Sequence, residues 1–256
     1  MAEWESSGRV KIERAKEHIG DLQTEIKSFF QRHPYAVVGE DDKETGDWIV
    51  RARINETPPL RWGAVAGDAI HNLRSSLDIL WRLVMYPSGG GSTNRRIQFN
   101  VYDSADEFKT SHDREVHGPR KPAVDIYKGL KPYKGGNDLL WLLHAADVVD
   151  KHRGLIPAYS TVGTTIIDFS VGFRAPPRRL GLKWADPACP IEDGTELWRV
   201  KANMRGQVDM NPTFPFSIAF GEAEVLKAKP IISTLHQFAG VVEGIAQTFR
   251  VAGLLA

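Results

Sequence analysis

The chain holds one cysteine in 256 residues, no long apolar run and almost no net charge. Each shortage excludes something. One sulfur makes neither an intrachain disulfide nor a thiolate metal cluster. Cys189 stands in Asp186-Pro187-Ala188-Cys189-Pro190, with no histidine nearby to act as its base, and reads as an inert thiol. The single cysteine fits a reducing compartment. No segment approaches the roughly 20 apolar residues that a membrane-spanning helix needs. The start, Met1-Ala2-Glu3-Trp4-Glu5, is acidic and lacks the apolar stretch of a signal peptide. The expectation is a cytoplasmic protein without a membrane partner. The 33 basic and 32 acidic residues leave a net charge of +1, too even for a protein wrapped by nucleic acid, while leaving room for a small RNA site.

What is present is a regular hydrophobic pattern. Ile12, Ala15, Ile19, Leu22, Ile26 and Phe29 alternate spacings of three and four, which predicts a helix over 7–33 that Pro34 ends. A hairpin is expected over 35–54, where Trp48, Val50, Ala52 and Ile54 alternate with Arg51 and Arg53. A second helix spans 63–86, followed by a glycine-rich connector at 88–92 that lacks the lysine of a phosphate loop. A strand is expected at 96–102, a capped short helix from Ser104 and a basic surface loop over 114–134. A third helix starts at Asn137-Asp138. Period-two runs follow at 164–173, 180–184, 196–203 and 214–220. The last helix carries Ile231, Leu235, Phe238, Val242, Ile245 and Phe249 in a second four-three seam. The two terminal helices present matching stripes that could pair within a monomer or across a homo-oligomer.

These elements predict an α+β fold with a four-helix-bundle-like core, an inserted β-hairpin and a small antiparallel sheet. One interleaved domain over 1–256 is expected, its helical core at 7–33, 63–86, 137–155 and 230–253 and its β-rich insertion at 160–222. Separate helical and β domains are the alternative.

The polar chemistry concentrates on two helices. On the second, His71, Arg74, Asp78 and Arg82 form a stripe at spacings that stack side chains on successive turns. On the third, His144, Asp147 and Lys151 form another. That helix looks apolar on two sides, with Leu139, Leu142, Leu143, Ala146 and Val149 on one and Trp141, Val148 and Leu155 on the other, so burial on both is expected. If the stripes face each other, His71, Arg74, Asp78, His144, Asp147 and Lys151 converge as a candidate catalytic set. The competing reading is ordinary surface ion pairing, each pair contributing a few tenths of a kcal/mol.

The run Asp68-Ala69-Ile70-His71-Asn72-Leu73-Arg74-Ser75-Ser76-Leu77-Asp78 resembles a motif, HNLRSALDH, of a bacterial protein family. A later helix of that family is similar to Leu143-His144 through Asp150-Lys151-His152-Arg153. This resemblance covers most of the first 155 residues and implies an architecture and no reaction. More weakly, the second helix resembles the HEPN superfamily of four-helix RNases and RNA-binding modules, which carry an arginine, a polar residue and then a histidine. Arg74 and Ser75 match, but Ile79 stands four residues beyond Ser75 where the histidine is expected, so His71 or a histidine of the third helix would have to replace it.

Three functions follow. The first is a HEPN-like, RNA-directed module, with His71 or His144 as general base and Arg74 and Lys151 stabilising phosphate oxygens. RNA would be tracked by Arg120, Lys121, Lys128, Lys131 and Lys134, together with Arg178 and Arg179 in the group that includes Arg174 and Lys183. The second is a metal-dependent hydrolase using His71, Asp78, His144, Asp147 and Asp150, though no His-Glu-x-x-His spacing is present and Arg74 and Lys151 would oppose a cation. The third is a non-catalytic interaction protein. The first leads, and with it no cofactor is expected.

Overall fold

The computed structural model describes residues 3–87, 97–115, 120–153, 155, 157–161, 191–203, 216–221, 225–227 and 229–255. The expected strands at 164–173 and 180–184 lie outside the described residues, as do the 88–92 connector, Cys189, Arg178 and Arg179. The described part is an α+β fold. In chain order it comprises α1 (Glu3–Ser6), α2 (Gly8–Phe30), β1 (Tyr35–Asp41), β2 (Trp48–Ile54), α3 (Arg61–Met85), α4 (Ala105–Glu115), α5 (Lys121–Gly129), α6 (Asp138–Arg153), β3 (Pro157–Thr161), β4 (Glu196–Val200), β5 (Phe216–Phe220) and α7 (Ile231–Val251). No described helix is long and apolar enough to cross a membrane.

The terminal seams become core. Ile12, Ala15, Ile19, Leu22 and Phe29 of α2 and Ile231, Leu235, Phe238, Val242, Ile245 and Phe249 of α7 are all buried. Burying one such leucine, isoleucine or phenylalanine side chain contributes about 1.5–3 kcal/mol. Both helices pack on α3 and on each other, with Lys16 paired to Glu243 across their edge at 3.0 Å. The two stripes therefore close within one chain, and any assembly through these helices would use their outer faces. At the end of α2, His33 takes a left-handed φ of 54°, after which Pro34 turns the chain into β1.

β1, β2 and β4 form one antiparallel sheet in that order, with Tyr35 opposite Ile54, Asp41 opposite Trp48 and Trp48 opposite Val200. Arg199 of β4 pins the hairpin turn. Its guanidinium makes a two-point bond to Glu196 (2.9 and 2.7 Å) and reaches Asp42 at 2.8 Å. Asp47 is 3% exposed and accepts from Lys201 Nζ at 2.8 Å and the Ala202 N–H at 3.1 Å. Arg199 and backbone N–H groups hold the Asp42 carboxyl well below the usual carboxylate range. Arg199 lowers Glu196, and the Lys201 bond lowers Asp47. Carboxyls depressed in the fold contribute stability above their unfolded pKa, about 4, and lose it as pH falls through their folded values. Arg199→Ala is therefore expected to be less stable than wild type to urea at pH 7, with the gap narrowing as pH falls from about 4 toward 2. A gap that stays constant with pH would show that the loss is packing, not charge.

β3 and β5 form a separate two-stranded antiparallel sheet, Pro157 opposite Phe220 and Thr161 opposite Phe216. Ile218 and Phe220 join the same apolar cluster as the helices and the three-stranded sheet.

Three expectations are corrected. Residues 97–102 are not a strand, because the backbone of Phe99 bonds to side chains of α3 and only Tyr102 makes an isolated bridge, to Tyr133. The basic stretch is not all loop. Residues 121–129 form α5, with Ala123 and Tyr127 fully buried and Pro122 in the first turn, where its missing N–H does no harm. Finally, the second face of α6 is only partly covered, although Leu155 just past its end is buried. Leu140, Leu143 and Ala146 are buried, but Val148 is 42% exposed and Trp141 spends its indole N–H on Asp103 at 2.8 Å.

Candidate functional site

The site is built by the contact of α3 with α6. The two helices run antiparallel, because Gly67 meets Asp150, His71 meets Asp147 and Arg74 meets His144 as α3 ascends and α6 descends. Successive contacts are about one turn, roughly 5 Å, apart. Asn137 caps the start of α6, its side-chain oxygen accepting the Leu140 N–H at 3.1 Å. The six residues of the candidate set fall into two adjacent groups.

The inner group is centred on Arg74. Its side chain is 8% exposed. It donates to Asp78 Oδ1 at 2.8 Å, to the Phe99 carbonyl at 2.8 Å and to His144 Nδ1 at 3.3 Å. Asp78 in turn accepts the Phe99 N–H at 2.9 Å. The Arg74–Asp78 pair thus takes up both backbone groups of Phe99, much as a neighbouring strand would. The Phe99 ring packs edge-on against Trp81 and Tyr127, with centroids 6.0 and 5.2 Å away. Burial lowers the pKa of His144, and the charge of Arg74 lowers it further, so His144 stays neutral and accepts from the guanidinium. Arg74, Asp78 and His144 are bonded inward, as a brace.

The outer group is centred on Asp147. This carboxylate is buried, 4% exposed, and holds two half-exposed cations or donors. Oδ1 lies 3.0 Å from His71 Nδ1, and Oδ2 accepts from Lys151 Nζ at 2.5 Å. The imidazole is 52% exposed and Lys151 51%. An ionised carboxylate only accepts, so Nδ1 carries a proton, and in the neutral imidazole Nε2 is the nitrogen that keeps a lone pair. Ser75 Oγ stands 3.3 Å from that Nε2. The geometry is that of a general base steered by a buried acid.

Three features around this group escaped the sequence reading. Ser75 was visible as the polar residue after Arg74, but its four-residue spacing from His71 was the informative signal. The Asp150 carboxylate presses on Gly67, where a Cβ would lie 2.3 Å from Oδ1, so the glycine allows the helices to close at this point. Burial, together with the charges of Asp147 and Asp68, raises the Asp150 pKa. On the α2 side, Lys11 Nζ donates to Asn72 Oδ1 at 3.3 Å, one turn before Ser75.

The proposed RNA-tracking residues divide in the same way. Arg120 is partly buried and donates to the carbonyls of Val84 and Leu254, both at 3.3 Å, so it ties α3 to the α7 tail. Lys121, Lys128, Lys131 and Lys134 are exposed, and Lys134 lies 4.6 Å above the ring of Trp141 on α6. Among the described residues no group of three or more His, Cys, Asp or Glu side chains is arranged to hold a metal ion. The donors of the metal reading are split between the brace, the His71–Asp147 pair and Asp150.

No protein-family model, no curated protein and no solved structure matches this chain.

Proposed function

We propose that the chain is an RNA-directed module whose acid–base centre is His71, oriented by Asp147 and flanked by Lys151. One observation carries this reading: a half-exposed imidazole held through Nδ1 by a buried carboxylate, with its Nε2 already within reach of a hydroxyl. Cleavage of RNA without a metal asks for little more. A base takes the 2′-hydroxyl proton, the 2′-oxygen attacks phosphorus and a cation meets the charge on the phosphorane oxygens. His71 Nε2 would be the base and Lys151 the cation. Arg74 leaves the catalytic set because its guanidinium serves the brace, and His144 because its Nδ1 accepts from that guanidinium.

The exposed lysines give the strand a path. Lys134 stacks on Trp141, and Trp141 lies ten residues before Lys151 on α6, about 15 Å along the axis. A single-stranded backbone can span that length, since single-strand sites cover roughly 4–16 nucleotides.

The test is incubation of the full chain with a labelled tRNA pool in the presence of a chelator. Cleavage leaving 2′,3′-cyclic phosphate ends is expected. His71→Gln is expected to slow it by about 100- to 10,000-fold, the usual worth of a positioned base. The absence of both cleavage and RNA binding at low salt would eliminate the reading.

A further inference from the structure

Helical serines and threonines of this chain commonly give their hydroxyl proton to a backbone carbonyl one turn back. Ser76 donates to Leu73 O at 2.7 Å, Ser28 to Thr24 O at 3.0 Å, and Thr24 and Thr248 to Gly20 O and Gly244 O at 2.9 Å. Ser75 instead faces an imidazole, its Oγ 3.3 Å from His71 Nε2. That imidazole is bonded through its other nitrogen to Asp147, 4% exposed, at 3.0 Å. Hydroxyl, imidazole and buried carboxylate are linked by successive contacts of 3.3 and 3.0 Å. This is the arrangement that makes a serine nucleophilic, whatever the fold around it.

We propose that Ser75 is a catalytic nucleophile and that this site hydrolyses activated carboxylic esters through an acyl-serine. In the first step the Ser75 Oγ–carbon bond forms as its proton passes to His71 Nε2, and the carbonyl electron pair moves onto oxygen. That pair then returns, the bond to the alcohol breaks and the alcohol leaves with the proton from Nε2. Water repeats the sequence, releasing the acid and restoring Ser75. Asp147 holds the Nδ1–H throughout and stabilises the imidazolium.

The oxyanion has to be met by side chains, because main-chain N–H groups in the middle of α3 are committed to the helix. Two lysines are bonded to neighbours of the His71–Ser75 pair and are the cations that could serve. Lys151 sits on Asp147 Oδ2, and Lys11 sits on Asn72, which is three residues before Ser75 and so on the same face. With His71 and Lys151 about half exposed, the site is open and takes esters whose acyl group needs no deep pocket.

This proposal shares His71 and Asp147 with the RNA reading but does not depend on it. The full chain is treated with a fluorophosphonate, which leaves a phosphonyl group on an activated serine, and the modified residue is located by peptide mass mapping. A single adduct on Ser75 is expected. It is absent in Ser75→Ala, a change that suits a helix, and circular dichroism checks that this variant is folded. In His71→Gln the labelling rate is expected to fall at least about 100-fold. Hydrolysis of p-nitrophenyl acetate should fall with it. No adduct, an adduct elsewhere, or equal labelling of Ser75 in His71→Gln overturns the proposal. Labelling with neither RNA cleavage nor RNA binding leaves this proposal standing and removes the RNA reading; RNA cleavage without labelling does the reverse.

Discussion

Arg74→Ala is expected to lose about 3 kcal/mol of stability, the lower end of what breaking a buried ion pair costs. The size follows from what is left behind. Asp78 keeps only the Phe99 N–H, the Phe99 carbonyl loses its donor at 2.8 Å and His144 loses its partner. Asp78 is 36% exposed, so water relieves part of the loss and holds the figure to the lower end. For a chain of this length that is a fall in Tm of about 6–12 °C. Differential scanning fluorimetry reads it directly. Arg74→Lys should fall between, because an ammonium cannot match the guanidinium fork that serves Asp78 and Phe99 together.

The same variants separate two roles for Arg74. A catalytic arginine replaced by lysine would leave the fold near wild type and remove activity. A brace behaves in the opposite way: stability falls, while activity per folded molecule at low temperature stays close to wild type. The second result is expected, since His71, Asp147 and Lys151 are bonded to one another and not to Arg74. A normal melting temperature with lost activity would return Arg74 to the chemistry.

How much of this was legible beforehand depended on which partner set each feature. The seams of α2 and α7 were readable because Ile12 to Phe29 and Ile231 to Phe249 repeat strongly and each buries its own stripe. Pro34 and Pro230 mark ends through local geometry alone. By contrast α5 was masked by charge and proline, although Ala123, Tyr127 and Leu130 carry a helical period beneath them. The segment around Phe99 looked like a strand because its apolar residues alternate, yet its hydrogen bonds go to Arg74 and Asp78, which no local pattern announces.

The site divides along the same line. Spacings of three and four placed the two polar stripes correctly on α3 and α6, since a stripe is a property of one helix. Which members are buried is a property of the pair. Asp150 lies against Gly67, and in the register of the two helices Arg74 and Asp147 are buried while His71 is half exposed. Residue type alone gives arginine, histidine and aspartate equal claims on catalysis. Burial ranks them, because a base must meet its substrate and a steering acid must not.

Asp147→Asn should produce a large loss of activity with a small loss of fold. Asparagine keeps the shape of aspartate but offers one oxygen and one NH2. Lys151 needs an acceptor, and in the native chain takes Oδ2 at 2.5 Å. The amide oxygen is expected to turn to that ammonium, since the opposite orientation sets NH2 against a cation. The amide nitrogen then faces His71 Nδ1, which must give up its proton and accept. The proton moves to Nε2, and the nitrogen that served as base becomes a donor. The imidazole stays in place with the wrong tautomer. Turnover of whichever substrate the site proves to act on is expected to fall by about 100- to 10,000-fold. Loss of one charge-assisted hydrogen bond gives a stability change of about 1.5–3 kcal/mol at most, eased because His71 and Lys151 both reach water. Paired measurements of turnover and melting temperature read the two effects apart. Undiminished turnover in a folded Asp147→Asn chain would mean that Nε2 of His71 is not the base and that the buried carboxylate serves only to join α3 to α6.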